Sequence, residues 1–178
     1  MKKIVFDLDD TLWNLNERAC EITGVDLNKL DVFKIHQNTH LTKEEIDILF
    51  EVYKSPSLWD NIKYCPGATS IKDLESDDVQ VLINSNCLNE DVKAKKRSFL
   101  SKDLGLPDDQ IILNVANHKN IEDVFIFVDD NPANIMNSKA TWNIMPDKLW
   151  NQGFEGKNVI RCYSLEEIID TIKHLLEE

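Results

Sequence analysis

Residues 4 to 12 read Ile-Val-Phe-Asp-Leu-Asp-Asp-Thr-Leu, an apolar run that stops abruptly in three carboxylates and a hydroxyl. Ile4, Val5 and Phe6 have no polar alternation, so they fit a strand buried on both faces, as in a parallel sheet. Asp7 and Asp9 are two residues apart, and in extended chain their side chains point the same way. Two like charges about 4 Å apart at an effective dielectric near 20 repel by roughly 4 kcal/mol. Such a pair persists if a cation lies between the carboxylates, if one is protonated, or if both splay into water. A solvated turn in which Asp10 or Thr11 caps the next helix is the plainer alternative.

Two further segments favour a site. Val124 to Val128 is a β-branched and aromatic run, too short for a helix, that ends in Asp129-Asp130. Val79 to Ile83 is a third apolar run and ends in Asn84-Ser85-Asn86. Three buried-type strands with polar or acidic ends predict an open α/β sheet whose strand C-termini meet at one crevice, where ligands bind.

The order of these motifs resembles the haloacid dehalogenase superfamily. Asp7-Leu8-Asp9-Asp10-Thr11 is similar to its first motif, Ser85 after an apolar strand to its second, and Asp129-Asp130 to its acidic fourth. Lys93, Lys95, Lys96 and Arg97 compete for the basic third motif. Lys96 is chosen because Lys96-x-x-Phe99 resembles the Lys-x-x-aromatic pattern of one branch, the 5'(3')-deoxyribonucleotidases; for the others a solvated helix face is the better reading. Leu58-Trp59 ahead of Pro66-Gly67-Ala68, Asp129 to Pro132, and Trp150-Asn151 resemble that branch too. The chain departs from it at Asp10-Thr11, where animal enzymes carry Gly-Val, and at Asn84-Ser85-Asn86, where they carry Thr-Ser. It also lacks an evident copy of their base-lining aromatic pair.

The resemblance implies a Rossmann-like, three-layer α/β core with a parallel sheet, comprising residues 1–12 and 66–178, and a small helical cap inserted after the first strand at residues 13–65. It implies a Mg²⁺-dependent phosphomonoester hydrolase, with Asp7 as nucleophile through an aspartyl-phosphate and Asp9 as general acid and then base. Magnesium takes hard oxygen ligands. The implied ligands are the Asp7 carboxylate, the Asp9 backbone carbonyl and a fourth-motif carboxylate, with Asp130 favoured for direct contact and Asp129 orienting it or pairing with Lys96. Ser85, Asn86 and Lys96 would bind the phosphate. The expected substrate is a small (deoxy)nucleoside monophosphate, and Leu15, Phe33, Phe50 and Tyr53 are the candidate pocket residues. Read without the motifs, Ser85 is a turn hydroxyl, and these aromatics, with Trp13 and Trp59, are packing residues.

Other readings stay open. The chemistry could serve a sugar phosphate, a cofactor phosphate or a phosphoprotein, since Asp-Leu-Asp-x-Thr-Leu-Trp also resembles small magnesium-dependent phosphatases. A phospho-accepting receiver module uses strand-end aspartates, Ser or Thr, Lys and Mg²⁺ as well. Its acidic pair lies at the first strand, however, and the doublet at 129 leaves too little chain to build one.

Composition bounds the rest. The 178 residues suit one domain with room for an insertion, and 42% hydrophobic content supplies a core. With 29% charged residues a membrane protein is excluded, and a net charge of -12 opposes binding to a nucleic-acid duplex. Cys20, Cys65, Cys87 and Cys162 are scattered, without Cys-x-x-Cys, so free thiols of a cytoplasmic protein are expected. The opening apolar run breaks at Asp7, too soon for a signal peptide. His36 and His40 are spaced for zinc on a helix, but no third ligand is apparent, so they read as solvated. His118 and Lys119 read as loop residues. Thr42 with Glu45 predicts a capped helix toward Tyr53, stopped by Pro56. Helices are also predicted from about Ala68 to Leu74, Asn89 to Leu104, from Ala133, and Leu165 to Leu176 with Ser164 as cap. Strands are expected at Gln110 to Leu113 and near Val159.

Overall fold

The computed structural model describes residues 1–115, 123–156 and 158–177; His118 and Lys119 lie outside the described residues. Among the described residues six strands form one sheet: β1 (Lys2–Phe6), β2 (Val79–Asn86), β3 (Ile111–Asn114), β4 (Val124–Val128), β5 (Trp142–Pro146) and β6 (Val159–Cys162). Their order is β3-β2-β1-β4-β5-β6 and every pairing is parallel. The chain builds outward from β1 to β3, then returns to the other side of β1 with β4. This reversal makes the C-terminal ends of β1 and β4 the crevice in which ligands of open α/β sheets bind. A receiver-type sheet, ordered 2-1-3-4-5, has a different path.

Alternation within the strands divides the core. Ile4, Phe6, Val81, Ile83, Ile126 and Val128 belong to the larger apolar cluster, while Val5, Leu82, Phe127 and Met145 pack with Ile135 on the other face. Helix α5 (Leu165–Glu177) turns Ile168, Ile172 and Leu175 into the larger cluster, and its start is held by the Glu167 N–H donating to Ser164 Oγ at 3.1 Å. Helix α3 (Glu90–Asp103) begins where Asn89 Oδ1 accepts from the Val92 N–H at 2.8 Å, with Glu90 and Asp91 in the first turn favoured by the helix dipole.

Residues 13–65 carry α1 (Leu15–Thr23), α2 (Lys43–Lys54) and 3₁₀ turns at Leu27–Lys29, Ile35–Gln37 and Pro56–Trp59. Helix α2 starts with the expected reciprocal cap between Thr42 and Glu45 and ends before Pro56. The two ends of this insertion meet: Trp13 bridges to Tyr64, and the Cys65 N–H donates to the Leu12 carbonyl at 2.7 Å. Its apolar side chains do not form a separate core, because Trp13, Leu49, Tyr53 and Trp59 join the cluster that holds Ile4 and Phe6.

The structure refines several expectations. The helix expected at Ala68–Leu74 is present as a 3₁₀ helix, entered through Gly67 at φ 89°. Helix α4 (Pro132–Asn137) is only six residues long. Strand β2 runs past its apolar stretch, since Asn84, Ser85 and Asn86 pair with Ile112, Leu113 and Asn114, and Asn114 Nδ2 donates to Asn84 Oδ1 at 2.8 Å. Strand β5 was not anticipated. Asn143 and Pro146 interrupt its apolar pattern, yet Ile144 and Met145 are fully buried.

Candidate active site

Asp7 follows β1 directly, and its backbone N–H donates to the Val128 carbonyl at 2.8 Å, extending the β1–β4 ladder by one residue. The ladder thereby sets Asp7 beside the acids that follow β4. Carboxylate oxygens of Asp7, Asp129 and Asp130 lie within 4.8 Å of one another, and all three residues are buried. Burial first, then the charges of Asp7, Asp129 and Asp10, push the Asp130 carboxyl well above the usual carboxylate range. A buried all-oxygen cluster of like charge fits a hard divalent cation such as Mg²⁺, which offsets that repulsion.

The two fourth-motif acids are held differently. Asp130 borders a cavity of about 540 Å³. Its Oδ2 accepts from Trp150 Nε1 at 2.6 Å, and its backbone carbonyl accepts from Asn151 Nδ2 at 2.9 Å. Asp129 is fully buried and accepts from the Asn131 N–H at 2.9 Å and from Asn134 Nδ2 at 3.0 and 3.1 Å.

After Asp7 the chain coils tightly, with the Leu8 carbonyl accepting from the N–H groups of Leu12 at 2.9 Å and Trp13 at 3.3 Å. This brings Trp13 Nε1 to Asp9 Oδ1 at 2.9 Å. The other oxygen, Oδ2, accepts from Lys96 Nζ and from Ser85 Oγ, the latter at 3.4 Å. Lys96 is 1% exposed and also donates to Ser85 Oγ at 3.0 Å and to the Asn86 carbonyl at 2.9 Å. The basic residues nearby point elsewhere: Lys93 pairs with Glu90, Lys95 with Asp60, and Arg97 with the Asp108 and Ile111 carbonyls. Among these four only Lys96 borders the cavity. Ser85 is fully buried behind Lys96, whereas Asn86 borders the cavity.

Asp10 adopts φ 58° and its Oδ1 accepts from the Asn16 N–H at 2.9 Å, capping the first turn of α1 from six residues before Asn16. Burial pushes its carboxyl up to about 7, partly opposed by the Asn16 N–H and the Lys148 charge. Asn16 Oδ1 in turn accepts from the Tyr53 hydroxyl. Leu15, Phe33, Phe50 and Tyr53 all border the cavity that reaches Asp7 and Lys96, and so do Trp59 and Leu88. His36 also borders it, while His40 is exposed and pairs with Asp31 at 3.1 Å, so the two histidines have different surroundings.

Asp10 does cap the next helix, as the plainer reading of the sequence had it, but sequence reasoning missed two groups that hold the acids: Trp13 on Asp9, and Asn134 on Asp129. Each contact depends on how the loops fold back, and no local spacing announces it.

No protein-family model matches the chain. No curated protein matches it. Solved structures do. A family IA, variant 3 HAD hydrolase from Entamoeba histolytica aligns over 97% of this chain and 100% of its own, at 19% identity and a TM-score of 0.58. A β-phosphoglucomutase from Clostridium difficile aligns over 100% of both chains at 16% identity and TM-score 0.52. A HAD-type hydrolase from Bacillus subtilis, solved with magnesium, aligns over 97% of this chain and 98% of its own at 13% identity and TM-score 0.55. The chain therefore has the haloacid dehalogenase-like hydrolase fold. No helix among the described residues is long and apolar enough to cross a membrane.

Proposed function

We propose that this protein is a phosphomonoester hydrolase that works through an aspartyl-phosphate and accepts a small (deoxy)nucleoside monophosphate. One observation carries the reading: buried Asp7, Asp129 and Asp130 converge at the sheet's switch point, and Asp7 and Asp130 border a cavity that a buried lysine also borders. The Asp7 carboxylate, the Asp9 backbone carbonyl and Asp130 would hold Mg²⁺, with Asp129 fixing the loop behind them. A magnesium ion there supplies charge neutralisation for an incoming phosphate.

The chain's own groups do the rest. A phosphate entering the cavity competes with Asp9 for Lys96, whose ammonium then serves the equatorial oxygens together with the Asn86 side chain. Ser85 positions Lys96 from behind. An oxygen of Asp7 attacks phosphorus, the ester P–O bond breaks, and Asp9 passes a proton to the leaving alkoxide. Asp9 then takes a proton from water as that water attacks the aspartyl-phosphate, releasing inorganic phosphate and restoring Asp7. Trp13 keeps Asp9 aimed through both steps.

The nucleotide preference is supported by the cavity walls. Leu15, Phe33, Phe50 and Tyr53 offer the apolar and aromatic surface that a nucleobase needs for stacking and desolvation. The insertion at 13–65 acts as a cap in this reading, because it supplies those walls. Phosphate release measured across a panel of phosphomonoesters, with EDTA and then added Mg²⁺, tests the proposal. EDTA should abolish release and Mg²⁺ restore it, with nucleoside monophosphates ranking first. Undiminished turnover in chelator would remove the central premise.

A further inference from the structure

Between the 3₁₀ turn at Leu27–Lys29 and helix α2 the chain makes an excursion in which nearly every side chain from Asp31 to Gln37 is exposed. Ile35 is half-buried, and Asn38, at 4% exposure, is the buried polar residue of this stretch. Its side chain bonds the backbone of the excursion on both sides. Oδ1 accepts from the Val32 N–H at 2.9 Å, and Nδ2 donates to the carbonyls of Val32 at 2.8 Å, Ile35 at 3.2 Å and Lys34 at 3.4 Å. Contacting both the N–H and the C=O of Val32, the amide stands in for a neighbouring strand that this segment lacks. The contact between His40 Nε2 and Asp31 Oδ2 at 3.1 Å closes the base of the same loop.

The residues inside this brace, Phe33, Lys34, Ile35 and His36, all border the cavity, on the wall supplied by the insertion. Phe33 is 42% exposed, so packing contributes little to holding it where it is. We propose that Asn38 is a positioning residue for leaving-group recognition: its side-chain amide fixes residues 32–37 as one wall of the substrate cavity. The proposal rests on the phosphatase reading above for its leaving group. It goes further by assigning selectivity to a residue that touches neither phosphate nor cavity.

The test compares wild type with Asn38→Asp, which keeps an acceptor for the Val32 N–H and loses the three donor contacts, and Asn38→Ala, which loses all four. Each is assayed with p-nitrophenyl phosphate and with the ester that wild type turns over best in a panel led by nucleoside monophosphates. A wall displaced by about 1 Å should lower kcat/KM for the larger ester by about tenfold to a hundredfold, mainly through KM. Turnover of p-nitrophenyl phosphate, which reaches less of the wall, should stay within about twofold. Amide hydrogen exchange should accelerate in residues 32–37 and leave the strands unchanged. Equal losses on both esters, or unchanged exchange, would overturn the proposal. If wild type hydrolyses no ester, the phosphatase reading fails, and exchange together with binding of the panel compounds still decides whether Asn38 shapes this wall.

Discussion

Trp150 donates its indole N–H to Asp130 at 2.6 Å, from the 3₁₀ turn Leu149–Asn151 beyond β5. The neighbouring Asn151 holds the Asp130 and Pro146 carbonyls at 2.9 Å each, so backbone and side chain of the acid are fixed from one turn. An indole bond of this kind orients a carboxylate without neutralising it. Trp150→Phe keeps most of the apolar body and removes the donor. At the metal site proposed above, magnesium affinity, followed by calorimetry, should fall by about tenfold to a hundredfold. Unaltered affinity would mean that packing alone orients Asp130.

Under the proposed mechanism Asp7 and Asp9 should fail in distinguishable ways. Asp7→Asn removes the nucleophile, so rapid quench with labelled substrate should trap no phospho-enzyme. Asp9→Asn leaves the nucleophile, and phosphorylation by activated esters with good leaving groups should suffer less than that by alkyl esters. Phosphoryl capture on another residue would contradict this division of labour.

The buried acids set a pH dependence for the metal-free protein. The Asp10 carboxyl is raised from 3.8 to about 7 and that of Asp130 is raised too, so the folded chain keeps protons that the unfolded chain has released. The Asp10 contribution to stability then falls as pH rises from near 3.8 toward 7 and levels off above, and Asp130 acts in the same direction. In EDTA, Asp10→Asn, which still offers an oxygen to the Asn16 N–H, should flatten this slope and raise the melting temperature at pH 8 by about 3 °C or more relative to wild type. A parallel slope in the variant would show that Asp10 is not the group responsible.

Selectivity and phosphate chemistry should separate by residue. Phe50→Ala and Tyr53→Phe should reorder the substrate panel while sparing p-nitrophenyl phosphate. Tyr53→Phe is preferred to truncation because Tyr53 is buried and its hydroxyl binds Asn16. Lys96→Met should lower kcat/KM for every ester together, by about a hundredfold or more. If Phe50→Ala lowers all esters equally, that ring is packing and the nucleobase argument loses its support.

What could be read in advance follows the range of each interaction. Asp7 and Asp129-Asp130 stood out because a strand end is a local event: an apolar run stops and acids follow. The cap of α2 was equally legible, since Thr42 and Glu45 are one turn apart. Lys96 was separable from Lys93, Lys95 and Arg97 only through Lys-x-x-Phe, and its burial came from packing. Strand β5 escaped because Asn143 and Pro146 break its pattern, and a strand enclosed by β4 and β6 is stabilised by partners that its own residues do not specify. The seven residues at 68–74 have helical character, but an apolar pattern that short does not separate 3₁₀ from α geometry.

The central place of β1 has a consequence for how the protein is made. Lys2 pairs with Val79 and Lys3 with Val124, so the strand carrying Asp7 waits for both neighbours while most of the chain leaves the ribosome. Loop closures of that span slow folding. The acid cluster is completed only when β4 docks, and until then nascent chains hold Asp7 without Asp129 and Asp130. Until β4 has emerged and docked, the β4-facing edge of β1 stays unpaired, and chaperone capture of nascent chains should peak in that interval.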